Sequence, residues 1–259
     1  MYATERHEQI ERLLIAEGRV SVVSLAEQFD VTTETIRRDL DHLESIGALR
    51  RVHGGAVPAD RASTREPSIA ERLQHHGAAK AAIGRRALDA LGDGFSGSLF
   101  LDAGTTTGAV AAALAPSLAH SHIEVVTHSL TLGHALAGVP GVSLTFIGGR
   151  VRGLTAAAVG AHTVRTIEGL RPDVAFVGTN GVSASFGLST PDPDEAAVKR
   201  AVVEAARRVV VVADAEKLDA ELLVGFAALS DIDVLVTDAA PGAGLATALD
   251  EAGVEVWLA

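Results

Sequence analysis

The chain has 259 residues, 47% hydrophobic and 21% charged, an ordinary globular balance that suits one large domain or two modest ones. Aromatic residues are only 3%, so any core rests mainly on Ala, Val and Leu, and the absence of cysteine excludes disulfides and thiolate metal sites. A formal net charge of −11 argues against a protein that coats nucleic acid indiscriminately, but leaves room for a local DNA-reading surface.

The first residues, Met1-Tyr-Ala-Thr-Glu-Arg-His-Glu8, are charged from position 5 and contain no apolar signal core. The longest β-like apolar run, Val209 to Ala213, is too short to span a bilayer. A soluble cytoplasmic protein with no membrane partner is expected. Residues 4–17 carry Ile10, Leu13 and Leu14 at helical spacing, with Thr4 as N-cap and Gly18 as stop. Val22, Leu25, Ala26 and Phe29 predict a second helix over 22–29. A third runs from Thr33 to Ile46, capped by Thr32 and closed by Gly47, with a stripe of Ile36, Leu40, Leu43 and Ile46. Ala48 to His53, followed by Gly54-Gly55, reads as a short β-hairpin. The Pro-, Ala- and Ser-bearing stretch before residue 68 reads as a linker. The expected division is 1–57, a winged helix-turn-helix; 58–67, a linker; and 68–259, a second domain.

In that second domain a helix over 69–91 precedes a strand at 98–101. Further strands are expected at 123–127, 143–147, 173–178, 208–213, 233–237 and 254–258. Helices fit at 106–115, 129–137, 161–169, 194–206 and 243–252. Alternating strands and helices predict an α/β domain with a doubly wound, mostly parallel sheet.

In the first domain, burial of Ile36, Leu40 and Leu43 leaves Thr33, Thr35, Arg37 and Arg38 on the N-terminal half of the third helix. That half of a recognition helix meets bases and phosphates. Arginine pairs bidentately with guanine, and Thr positions phosphates. Arg50, Arg51 and His53 lie on the wing, in reach of flanking backbone. Charge alone does not identify this surface, since residues 1–58 hold seven arginines against ten acidic residues. The same helices also suit a small dimerisation module.

In the second domain, the strand ending at Leu101 runs into Asp102-Ala-Gly104-Thr105-Thr106-Thr107-Gly108 and a helix start. Free amides, the helix dipole and threonine hydroxyls there suit a phosphate, although such turns also serve simply to cap helices. Other polar groups fall after strands: Thr127-His128-Ser129, Gly148-Gly149 with Arg152, Gly178 with Asn180, Glu195 with Lys199, and Asp214 with Lys217. Ligands of open α/β sheets bind at those strand ends. Glu195 and Lys199 also have the spacing of an exposed helical ion pair. Gly92-Asp-Gly94-Phe-Ser-Gly97 fits the dinucleotide string but precedes a strand, so it reads as a turn and no nucleotide cofactor is expected. His75-His76 and His120-x-His122 lack a spacing that closes a metal site, and no metal is expected.

Thr32-x-x-Thr35-Ile-Arg-Arg-Asp-Leu40, Leu43-Glu-x-x-Gly47 and Leu49-x-Arg-Val-His-Gly-Gly55 resemble the signature of the DeoR family of bacterial repressors. The resemblance implies that Thr32, Thr35, Arg37 and Arg38 contact operator DNA, and that Arg51, His53 and Gly54 belong to the wing. Asp102-x-Gly-Thr-Thr, Gly148-Gly-x-x-Arg152, Asp173-x-x-Phe-x-Gly178, Glu195-Ala-x-x-Lys199 and Asp214-x-x-Lys217 resemble the same family's sensor domain. They imply a fold like ribose-5-phosphate isomerase and a sugar-phosphate inducer. The sequence departs from the family's pattern at His128, where Asn is common, and at Asn180, where Asp is frequent. Gly178-Thr-Asn-Gly-Val182 with Thr190 to Lys199 is similar to fructose-operon regulators of actinobacteria, which suggests fructose 1-phosphate.

The expectation is therefore a homo-oligomeric, non-enzymatic repressor of a sugar-catabolism operon, released from operator DNA by a phosphorylated sugar. The alternative is a sugar-phosphate isomerase-like enzyme, which needs a carboxylate base beside an acid partner. A sensor that binds only proteins is the third reading.

Overall fold

The computed structural model describes residues 3–46, 48–52, 54–58, 63–64, 66–115 and 122–259. It divides into two compact units, Met1–Arg65 and Glu66–Ala259. The division falls inside the expected linker, but Glu66 already belongs to the second unit.

The first unit starts with α1 (Ala3–Glu17), so Thr4 lies inside the first turn and does not cap it. A two-residue strand follows, β1 (Val20–Ser21), then α2 (Val22–Phe29) and α3 (Thr33–Ser45). Ser21 caps α2 by accepting from the Ser24 N–H, and Thr32 caps α3 by accepting from the Thr35 N–H. Strands β2 (Leu49–Val52) and β3 (Gly55–Pro58) form the expected antiparallel hairpin. β1 pairs with β3 and makes the wing three-stranded. Ile10, Leu14, Leu25, Phe29, Ile36, Leu40, Leu43 and Leu49 fill the core. Ile46 departs from the expected stripe: it lies at the cap position and is 62% exposed. Gly47 and His53 lie outside the described residues.

The second unit opens with α4 (Ile69–Gln74) and α5 (Gly77–Ala87). One helix was expected over 69–91, but His76 adopts a left-handed conformation, φ 57°, and breaks it. Then come β4 (Ser98–Leu101), α6 (Thr105–Leu114), β5 (Ile123–Thr127), α7 (Leu130–Leu136) and β6 (Val142–Phe146). A small antiparallel pair follows, β7 (Arg150–Arg152) and β8 (Ala157–Val159), then α8 (Ala161–Glu168) and β9 (Val174–Gly178). Strands β10 (Gly181–Ser183) and β11 (Gly187–Thr190) precede α9 (Pro193–Ala205) and β12 (Val209–Val212). The chain ends with β13 (Val224–Ala227), β14 (Val234–Thr237), α10 (Ala243–Glu251) and β15 (Glu255–Leu258).

The seven expected strands form one parallel sheet in the order β15-β14-β12-β9-β4-β5-β6. Side-chain alternation divides its core between the two faces. Leu99, Leu101, Phe176, Val210 and Val212 pack on one, and Phe100, Val177, Val209 and Val211 on the other. β10, β11 and β13 make a separate small sheet. From β4 the chain winds outward through β5 to β6, then returns to the other side through β9, β12, β14 and β15. The winding direction therefore reverses between β4 and β9, and the crevice at their carboxyl ends is the topological switch point. Among the described residues, no helix is long and apolar enough to cross a membrane.

Candidate functional site

Two polar surfaces emerge, one in each unit. In the first, Thr32 and Thr35 at the start of α3 join hydroxyls at 2.9 Å, with Thr33 exposed beside them. Arg37 and Arg38 are 54% and 81% exposed and lean on Glu34 at 3.6 and 3.7 Å. Such exposed pairs are worth little, so both guanidinium groups can exchange Glu34 for a phosphate. A cavity of about 350 Å³ opens between the first residues of α2, Thr33 and Arg37 of α3, and Arg51, Val52, Gly54 and Gly55 of the wing. Arg50 is exposed on the wing. Arg51 is used differently from the expectation: its guanidinium pairs with Asp41, and its N–H donates to Glu44 Oε1 at 2.7 Å. It braces the wing against α3.

A buried cluster beneath α3 went unforeseen. Arg6 donates to both oxygens of Asp39, at 2.8 and 3.0 Å, and His7 Nε2 lies 2.9 Å from Oδ1. Burial opposes the charge on Asp39, but the hydrogen bonds from Arg6 and His7 hold its carboxyl below the usual range. The cluster ties α1 to α3.

In the second unit, Asp102 sits fully buried at the switch point, directly after β4. Its Oδ2 accepts the Gly178 N–H at 3.0 Å and the Lys199 ammonium at 2.5 Å. Lys199 also donates to the Gly178 carbonyl at 2.8 Å. Burial alone would raise the Asp102 carboxyl, but Lys199 and His128 bring it down to about 2. His128 Nδ1 lies 2.8 Å from the Ala158 carbonyl and so donates to it. Its Nε2 faces Asp102 Oδ1 at 3.0 Å and the Ala103 N–H at 3.2 Å.

Gly104 leads into α6 without a side-chain cap, so the first amides of this ten-residue helix are available to an anion. Thr105 and Thr106 are half-buried beside them. The Thr107 hydroxyl instead turns inward to the Gly104 carbonyl at 3.0 Å. Thr127 and Ser129 serve the scaffold: Thr127 donates to the Leu101 carbonyl at 2.7 Å, and Ser129 caps α7. Gly149 leaves room for Thr163, whose hydroxyl would stand 2.1 Å from an added Cβ and bonds the Gly148 carbonyl at 3.0 Å. Asn180 accepts from the Thr190 hydroxyl at 3.0 Å.

Glu195 and Lys199 share α9 but do not pair. Lys199 reaches Asp102, while Glu195 accepts from the Thr155 hydroxyl and from Arg152 at 3.2 Å. Lys217 lies half-buried after β12. Near it the structure adds Lys80 of α5, whose ammonium donates to the Arg72 and His75 carbonyls at 2.6 and 2.7 Å. Burial lowers the Lys80 ammonium; Asp214 opposes that, and Lys217 adds to it. Asp214 Oδ1 and Thr237 Oγ1, at the ends of β12 and β14, are buried without a hydrogen-bond partner. Among the described residues, no three His, Asp or Glu side chains gather as a metal shell.

Residues 6–62 match a family model described as the DeoR-like helix-turn-helix domain, and residues 75–239 match the DeoR C terminal sensor domain. The chain is 37% identical over 257 residues to the HTH-type transcriptional regulator GlpR of Haloferax volcanii, covering 99% of this chain and 98% of the relative. It is 31% identical over 259 residues to the glycerol-3-phosphate regulon repressor of Escherichia coli K12, covering all of both chains. Among solved structures, 54% of the chain is similar to 52% of a ribose 5-phosphate isomerase from Plasmodium falciparum, at 15% identity and a TM-score of 0.39.

Proposed function

The chain belongs to the DeoR family of DNA-binding transcriptional repressors, and from that premise we propose that it silences a sugar-catabolism operon until a phosphorylated sugar fills the β4–β9 crevice. Asp102 at the switch point carries this reading. It is fully buried, held ionised by Lys199, and placed three residues before the open amides of α6. An anion at those amides and hydroxyls beside the polar residues of α9 describe a sugar or polyol phosphate. The repressor reads operator DNA through Thr32, Thr33, Thr35, Arg37 and Arg38, with Arg50 on the wing. It works in the cytoplasm as a homo-oligomer, because a repeated operator calls for paired heads.

Turnover is not part of this reading. A carboxyl held at about 2 is a weak general base at neutral pH, and Asn180 supplies an amide where a paired carboxylate would help. Incubation with ribose 5-phosphate is expected to leave it unconverted.

The test combines binding to DNA from the protein's own upstream region with thermal shifts. Fructose 1-phosphate, glycerol 3-phosphate and inorganic phosphate are the probes. Glycerol 3-phosphate enters because a relative carries it in its name. A true effector at a hundredfold excess over its Kd should raise Tm by about 5–10 °C and weaken DNA binding. Equal affinity for upstream and random DNA at moderate salt would sink the repressor reading. Repression without a response to any phosphate ester would sink the sensing half.

A further inference from the structure

Glu66 is the first residue of the second unit, reached directly from the segment that leaves the first. Its side chain is 1% exposed, uncommon for a carboxylate at the entry to a domain. Its close charge partner is Arg152 Nη1, at 2.6 Å. The same guanidinium serves Asp192 through Nε at 3.1 Å and Glu195 through Nη1 at 3.2 Å. Three carboxylates thus share one cation.

They are not equally held. Asp192 caps α9, taking the N–H groups of Asp194 and Glu195 at 3.0 Å. Glu195 takes the Thr155 hydroxyl and lies in the first turn of α9, where the helix dipole favours a negative charge. Glu66 has neither support. Burial and the neighbouring charge of Glu195 push its carboxyl up, and Arg152 is the main opposing influence. Arg72, which belongs to the same entry segment, adds a weaker attraction. That segment is fastened beside the pair. Ile69 donates to the Leu154 carbonyl at 2.9 Å, and Ser68 and Glu71 cap α4 reciprocally.

We propose that Glu66 is a latch that ties the entry segment of the sensor unit to the occupancy of Arg152. When an anionic effector engages that guanidinium, Glu66 is left as a buried charge without its counterion. A low-dielectric site does not hold such a charge. The carboxylate moves to solvent and loosens residues 66–69 with it. The purpose assigned to this motion rests on the repressor reading; its geometry does not.

Hydrogen exchange over 66–74 in the full chain tests the latch without an effector. Arg152→Gln imitates capture of the guanidinium. Exchange there is expected to be at least tenfold faster in Arg152→Gln, and to resemble wild type in Glu66→Gln and in the double variant, because a neutral amide needs no counterion. Affinity for the upstream DNA fragment should follow the same order, weakened by Arg152→Gln and restored in the double variant. Unchanged protection in Arg152→Gln overturns the latch. So does fast exchange, or global unfolding, that Glu66→Gln fails to reverse, since packing alone would then explain the role of Arg152. If wild type itself shows no preference for the upstream fragment, the repressor reading falls while the exchange result still decides the latch.

Discussion

Asp102 and Lys199 are 97 positions apart in sequence and 2.5 Å apart in space. Replacing Lys199 with Met would leave the fully buried Asp102 without its nearest cation, at an expected cost of about 3–5 kcal/mol. Urea denaturation followed by circular dichroism checks this. The pair also sets a pH window. The folded carboxyl is held at about 2 against an ordinary 3.8, so its ionised form favours folding above about pH 4. That contribution, on the order of 2 kcal/mol, is lost as pH falls from 4 toward 2. In Lys199→Met the acid loss should shrink; an unchanged acid limb would contradict the assignment. The motifs made both residues visible in the sequence, but not their partnership. Glu195 stands four residues before Lys199, the spacing of a helical ion pair, and only the burial of α9 against the sheet sends the two side chains to different partners. Lys80, Glu66 and the Arg6–Asp39 pair escaped for the same reason: their partners are supplied by other elements.

At the scale of elements, periodicity carried most of the information. The stripe Ile36–Leu40–Leu43 defines α3, and all three residues are buried. The seven strands of the parallel sheet were each legible within a residue or so, because strands covered on both faces read as continuous apolar runs. What escaped was short or broken. β1 has two residues, and β7, β8 and β10 have three each, too few for alternation to register; β11 and β13, four residues each and outside the parallel sheet, escaped as well. The break at His76 falls directly before Gly77, a single glycine that the helical pattern on either side of it masks. Leu40→Ala deletes a fully buried side chain where α3 packs into the small core, and should destabilise the first unit by about 2–5 kcal/mol. Operator binding should fall with it at physiological temperature, while thermal shifts by an effector on the second unit persist. Loss of both together would mean that the units do not fold separately.

The whole molecule is acidic, with a net charge of −11, and the surface proposed to read DNA carries its own acid. Glu34 stands on the exposed start of α3 and pairs with both Arg37 and Arg38. In the absence of DNA this pairing partly neutralises the two arginines, and the global field repels the polyanion. If the proposed residues read the operator, binding depends on a backbone that fits the helix and wing well enough to displace Glu34, which favours a matched site over an arbitrary one. Glu34→Gln removes that competitor. Exposed pairs of this kind contribute roughly 0.2–1 kcal/mol each. Affinity for random DNA should therefore rise by about two- to thirtyfold if both pairs are lost, with a steeper salt dependence as phosphate contacts form more readily. The upstream fragment should gain less, because its contacts already displace the carboxylate, so the ratio of specific to non-specific affinity should drop. Anisotropy titrations at two salt concentrations measure both quantities. An equal gain on both DNAs would show that Glu34 tunes affinity alone and takes no part in selecting the site.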